Sequence, residues 1–263
     1  MRRLLIIMLA LAVALATLPH ILVDFSETKV HFSIDDSDEC FAELVRDSCS
    51  KESLFDYPHW SYYKSLHNRY GCKITLYAYE ESVENVLQGR VNRYKSDFCN
   101  NVDWLKFGFH SSMADDPRNG SQDWPAAYDK FNEDVEEFAG EESISNILRL
   151  SYFYAKPQDV AYIASKGGLT LLSADDDRIS YDLTFDEDSA LKASETFTKN
   201  GVTYKVTDFR TERISCPLLT LLRNNKEDDL IFFTHEWALD SGNKKNIERI
   251  MKFLKNEKAE WIN

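Results

Sequence analysis

The order of local patterns limits this chain most. Six short strand-like runs are each followed, at some distance, by a helical pattern. The first run, Val30 to Asp36 (VHFSIDD), alternates Val30, Phe32 and Ile34 with His31 and Ser33 and ends on two adjacent carboxylic acids. That spacing has the period of a strand. Cys72–Tyr79, Leu105–His110, Asn146–Ser151, Leu169–Ser173 and Leu230–Thr234 are the other five runs. Between them, Pro58–Tyr70 reads as a helix stopped by Gly71, and Ser82 as the cap of a helix carrying Val83 and Val86. Pro125 opens a helix with Tyr128, Phe131, Val135 and Phe138 on one face, ended by Gly140. Lys156–Lys166, Pro217–Arg223 and a last amphipathic segment with Ile247, Ile250, Met251 and Leu254 complete the helices. Strands separated by helices imply parallel pairing through right-handed crossovers, hence one α/β domain, either an open doubly wound sheet or a closed or nearly closed barrel. Between about 181 and 210 the runs shorten around Asn200-Gly201, a hairpin signal, and this stretch reads as a β-hairpin insertion. No glycine-rich loop follows the first strand, which removes dinucleotide and P-loop readings.

A formal net charge of -13 argues against a nucleic-acid surface, because such a surface needs a basic patch to displace counterions. The 16 Phe, 13 Tyr and 5 Trp suit a large core and equally a carbohydrate-facing cleft. Met1, Arg2 and Arg3 precede an uncharged run from Leu4 to Val23 whose 20 residues are enough to span a bilayer. Residues 1–23 therefore read as a signal peptide or an uncleaved membrane anchor, 24–28 as a short tether, and 29–263 as the domain, placed outside the cytoplasm. The five cysteines form no CxxC pair, so a thiolate zinc site is not indicated. A Cys40–Cys49 bridge and isolated buried thiols both remain open. The oligomeric state is not legible.

The chemistry-bearing residues cluster at strand ends. Asp35 and Asp36 end the first run, His110 the third, Asp175, Asp176 and Asp177 follow the fifth, and His235 and Glu236 follow the sixth, with Arg149 inside the fourth. In a β/α barrel those ends share one rim, where catalytic groups from separate strands converge. The plainer reading is an acidic solvated turn and histidines satisfied at strand ends. Carboxylate and imidazole together suit a divalent metal such as zinc, with Asp36 and His110 as its first ligands. Asp35 is then the candidate base for a water, and His235 the candidate acid for a leaving group.

The motif FSIDD at Phe32–Asp36 resembles the first motif of the polysaccharide deacetylases, the NodB-homology carbohydrate esterases. FGFHSS at Phe107–Ser112, LRLSYF at Leu148–Phe153, LLSADDD at Leu171–Asp177 and FFTHEW at Phe232–Trp237 resemble the later motifs, in the same order. The resemblance implies a distorted, incomplete (β/α) barrel and metal-dependent removal of N- or O-acetyl groups from polysaccharide. Asp35 would be the base, Arg149 the group that orients it, His235 the acid, and Asp36 and His110 metal ligands. Asp175, Asp176, Glu236 and Trp237 would line the substrate cleft. Where the second motif carries another histidine this chain has Ala114, with Asp115 beside it as the third-ligand candidate, alongside His235 or a water. Two alternatives follow: a glycan-binding or cell-surface protein without turnover on the same fold, and a two-carboxylate glycosidase using Asp35 with Asp176 or Glu236.

Overall fold

The computed structural model describes residues 25–88, 91–120, 122–224 and 229–263. The expected signal or anchor, 1–23, lies outside these residues; among the described residues no helix is long and apolar enough to cross a membrane.

Among the described residues ten strands form two sheets: β1 Lys29–Asp35, β2 Ile74–Tyr79, β3 Leu105–Ser111, β4 Ile147–Leu148, β5 Leu169–Leu172, β6 Thr196–Lys199, β7 Val202–Lys205, β8 Phe209–Arg210, β9 Leu230–His235 and β10 Glu260–Ile262. The larger sheet runs β3-β2-β1-β9-β8 with every pair parallel, and β10 pairs with the first residues of β1 before β2 takes over at Ser33. The smaller sheet runs β4-β5-β7-β6. A bridge, Phe107 to Ile144, links β3 to the approach of β4. The architecture is thus α/β with parallel strands, as the alternation implies, in two sheets joined by a bridge rather than a continuous ladder.

The helices follow their local signals. Proline sits in the first turn of Pro58–Tyr70, Trp124–Ala139, Pro157–Ser165 and Pro217–Arg223, where its missing N–H costs nothing. Most of the aromatic wealth goes into the layer between helices and sheet: Phe107 of β3 meets Phe98 at 5.7 Å and Phe138 at 5.4 Å between ring centroids, with Trp60 beside Phe98 at 5.4 Å. Edge-to-face contacts of this kind add to the burial itself.

Four expectations need correction. The polar connection after β1 holds a helix, Glu39–Arg46, whose Cys40, Phe41 and Leu44 are buried. The fourth strand is only two residues long, because Tyr152 and Phe153 adopt left-handed φ of 57° and 53° and turn the chain, leaving Arg149 just past the strand. The hairpin exists, with Asn200 and Gly201 at φ 52° and 81°, but it is not a separate insertion: β7 pairs parallel with β5 and completes the smaller sheet, after a helix at Phe185–Ser194. All five cysteines are free thiols, so no Cys40–Cys49 bridge forms.

Candidate active site

The period of β1 sends His31, Ser33 and Asp35 to one face, and that face meets Arg149. The Arg149 guanidinium donates to Asp35 Oδ1 at 3.0 Å, to Ser33 Oγ, and through its other terminal nitrogen to Thr207 Oγ1 at 3.2 Å. Its side chain is fully buried and that of Asp35 is 2% exposed. The guanidinium also lies over the Phe233 ring, 4.1 Å from its centroid. Gly108 on β3 makes room nearby: a Cβ there would lie 2.5 Å from Tyr77 Cε1, so only glycine lets Tyr77 cross and donate to the Ile147 carbonyl.

Asp36 follows the strand in a left-handed conformation, φ 53°, which turns its carboxylate away from the path of Asp35. Its Oδ1 accepts from the Tyr79 hydroxyl and lies 3.2 Å from His110 Nε2, while Oδ2 accepts from Trp237 Nε1 at 3.0 Å. Burial alone would push the Asp36 carboxyl up, but His110, the Tyr79 hydroxyl and the nearby His235 outweigh it and hold the group well below the usual carboxylate range. Burial likewise opposes charge on His110, and the adjoining Asp36 carboxylate overcomes it and raises the imidazole above its ordinary value. The other ring nitrogen, Nδ1, is bonded to the Arg149 carbonyl.

His235, at the end of β9, is held from behind. Its Nδ1 is 2.6 Å from Glu212 Oε1, and Glu212 also accepts from Thr234 Oγ1 at 3.2 Å. A carboxylate on Nδ1 fixes the ring and leaves Nε2 for other work. Trp237 stacks on His235 at 4.9 Å between centroids and is 71% exposed. Glu212 was not among the sequence candidates, because it sits in a short 3-10 turn after β8 that carries no motif spacing. Asp35, Asp36, Tyr79, His110, Arg149, Tyr152, Arg178, Arg210, His235 and Trp237 are among the residues lining one cavity of about 420 Å³.

The remaining candidates stand elsewhere. Glu236 is buried, and rather than lining the cleft its carboxylate accepts from the Glu39 and Cys40 backbone N–H groups at 2.6 and 3.1 Å and from the Tyr63 hydroxyl at 2.6 Å. Burial pushes its carboxyl above the usual range despite those donors. Asp175 is gripped by the Arg210 Nε at 2.7 Å, and Asp176 by Arg178 at 2.8 Å, so the arginines, not the acids, face the cavity. Neither partner needed for a two-carboxylate glycosidase is therefore presented opposite Asp35.

Asp36 and His110 are the right donor types for a divalent metal, and the carbonyl on His110 Nδ1 is the usual support for a ligating Nε2. The third donor is missing. Ala114 lines the cavity without a ligating atom, and Asp115 is exposed and not part of its wall. Among the described residues no group of three or more His, Cys, Asp or Glu could hold a metal. The residues present do not fit a three-ligand catalytic centre.

No protein-family model matches the chain, and no curated protein matches it in sequence. Solved structures do share its fold. A protein from Mycobacterium smegmatis assigned by name to the polysaccharide deacetylases superposes with a TM-score of 0.55 at 11% identity, covering 91% of this chain and 87% of that one. The Bc1960 peptidoglycan N-acetylglucosamine deacetylase gives 0.50 at 13% identity, with the same coverages. A 4-alpha-glucanotransferase from Thermococcus litoralis gives 0.57 at 8% identity over 90% of this chain and 39% of its own. The fold is thus of the polysaccharide deacetylase type, and the resemblance read from the motifs holds at the level of fold.

Proposed function

We propose that the chain is a carbohydrate-active hydrolase of the deacetylase type, taking an acetylated glycan into the cavity at the strand ends. One observation carries the reading: two separately supported acid–base groups, Asp35 on Arg149 and His235 on Glu212, line the same cavity. Water attacks the acetyl carbonyl and passes a proton to Asp35. The bond to the sugar nitrogen or oxygen breaks, and a protonated His235 ring gives its proton to that leaving atom. Trp237 offers an exposed ring face to a sugar. The chemistry resides in Asp35 and His235. On this reading the chain works outside the cytoplasm, in keeping with the basic start and apolar run of residues 1–23.

A second reading, glycan binding without turnover, is favoured by a specific feature: Ala114 removes a donor, and both Asp36 oxygens already accept protein hydrogen bonds. Acetate release from acetylated chitooligosaccharides, measured with and without added zinc or cobalt, separates the two. Release that disappears in Asp35→Asn and His235→Ala supports hydrolysis. Binding with no acetate under any metal condition supports the second reading.

A further inference from the structure

The first cavity does not end at its own wall. A second cavity of about 360 Å³ lies beside it, lined by Asp38, Ala42, Val45, Tyr79, Ser82, Asn85 and others. The two share Asp38, Tyr79 and Ala114. Each is within the size range of small-molecule sites, about 300–1,000 Å³. The shared boundary passes the position where the deacetylase resemblance expects a histidine and this chain has a methyl group. We infer that Ala114 opens the reaction cavity sideways into a second subsite, and that the ligand is an extended glycan whose neighbouring sugar units lie along the helix Glu80–Gln88.

The lining fits that chemistry. A sugar unit presents hydroxyls at its edge and C–H groups on its faces, so a site for it alternates hydrogen-bonding groups with apolar surface. Asn85, Ser82 and Asp38 supply an amide, a hydroxyl and a carboxylate, while Ala42, Val45 and the Tyr79 ring supply the apolar surface. Val45 is 39% exposed in a helix whose Cys40, Phe41 and Leu44 are buried. Asp38 stands at the N-cap position of that helix yet makes no capping hydrogen bond from its side chain. A capping aspartate normally spends its carboxylate on the N2 or N3 amide; this one makes no such bond and lines both cavities.

The inference rests on the glycan reading of the first cavity, and the test separates the two. Calorimetry on the full chain compares chitobiose with chitopentaose. The pentaose should bind about tenfold tighter or more, a difference of about 1.4 kcal/mol. Asn85→Trp and Ala114→Trp, both exposed positions, should shrink that ratio to about twofold with the melting temperature unchanged. Equal affinities in the unaltered chain, or a ratio untouched by both substitutions, would overturn the second subsite while leaving the first cavity as a glycan site. Failure of both sugars to bind would overturn the subsite and the proposed function together.

Discussion

Asp35 and Asp36 are neighbours in sequence and opposites in setting. Asp35 stands at the floor of the cavity, only 2% exposed, its charge matched by a buried guanidinium that two hydroxyls also hold in place. Asp36 sits at the rim, where a tyrosine, a histidine and an exposed tryptophan bond to it and a missing side chain at 114 leaves its surroundings open. The difference lies in how far each setting could drift without cost. A buried ion pair cannot lose one member without stranding the other charge, whereas a rim carboxylate can exchange partners with solvent. The Asp35 side of the cavity is therefore held by burial, and the Asp36 side by contacts that solvent can replace.

The contrast is open to attack from the buried side first. Arg149→Leu should destabilise the fold by about 3–5 kcal/mol in urea unfolding, because Asp35 is then buried without its partner. A loss below about 1 kcal/mol would mean that the Asp35 charge does not depend on Arg149. His31, on the same inward face of β1, sharpens the point. Burial, with the Arg149 charge, lowers its imidazole from 6.5 to about 3. Between those values the unfolded chain binds a proton that the native chain does not, so stability rises with pH and is lost on acidification below about 6.5. Relative to His31→Gln, the unaltered protein should lose about 3 kcal/mol more on going from pH 7 to pH 4. Parallel pH profiles for the two would contradict a dry interior at that face.

The rim should respond more gently and in a different way. Ala114→His adds a second imidazole, and a third donor, beside Asp36 and His110 and should tighten zinc binding at least tenfold by calorimetry, about 1.4 kcal/mol, with little change in unfolding. No gain would mean that position 114 does not face the two donors. Trp237→Phe removes one hydrogen bond to an already accessible carboxylate and should cost about 0.5 kcal/mol or less in stability. A loss as large as that of Arg149→Leu would erase the distinction between the two acids.

Where the signal was local, the sequence carried it. Alternation in VHFSIDD, proline-opened helices and the Asn200-Gly201 turn each map onto an element, and the ordering of strands and helices led to the parallel α/β plan. Arg149 was placed on a strand that ends before it, because the left-handed turn at Tyr152 and Phe153 leaves no compositional mark on non-glycine residues. The helix Glu39–Arg46 was hidden by the Ser- and Asp-rich stretch that precedes and follows its apolar face. The same limit governs the site. Strand-end residues such as Asp35, Asp36, His110 and His235 could be assembled from order alone. Glu212 could not, since what selects it is a contact across 23 residues. Glu236, adjacent to His235, was drawn into the cleft by proximity in sequence, but the 3-10 turn at Glu236–Ala238 sends it to the start of a helix instead.

The claim that the two supported groups, Asp35 on Arg149 and His235 on Glu212, serve one reaction is tested most directly by acetate release from chitopentaose, with zinc supplied. The account predicts release by the unaltered protein and at least a hundredfold loss, about 2.7 kcal/mol in transition-state stabilisation, in each of Asp35→Asn and His235→Ala while pentaose still binds. Release that survives either substitution at near full rate would contradict it.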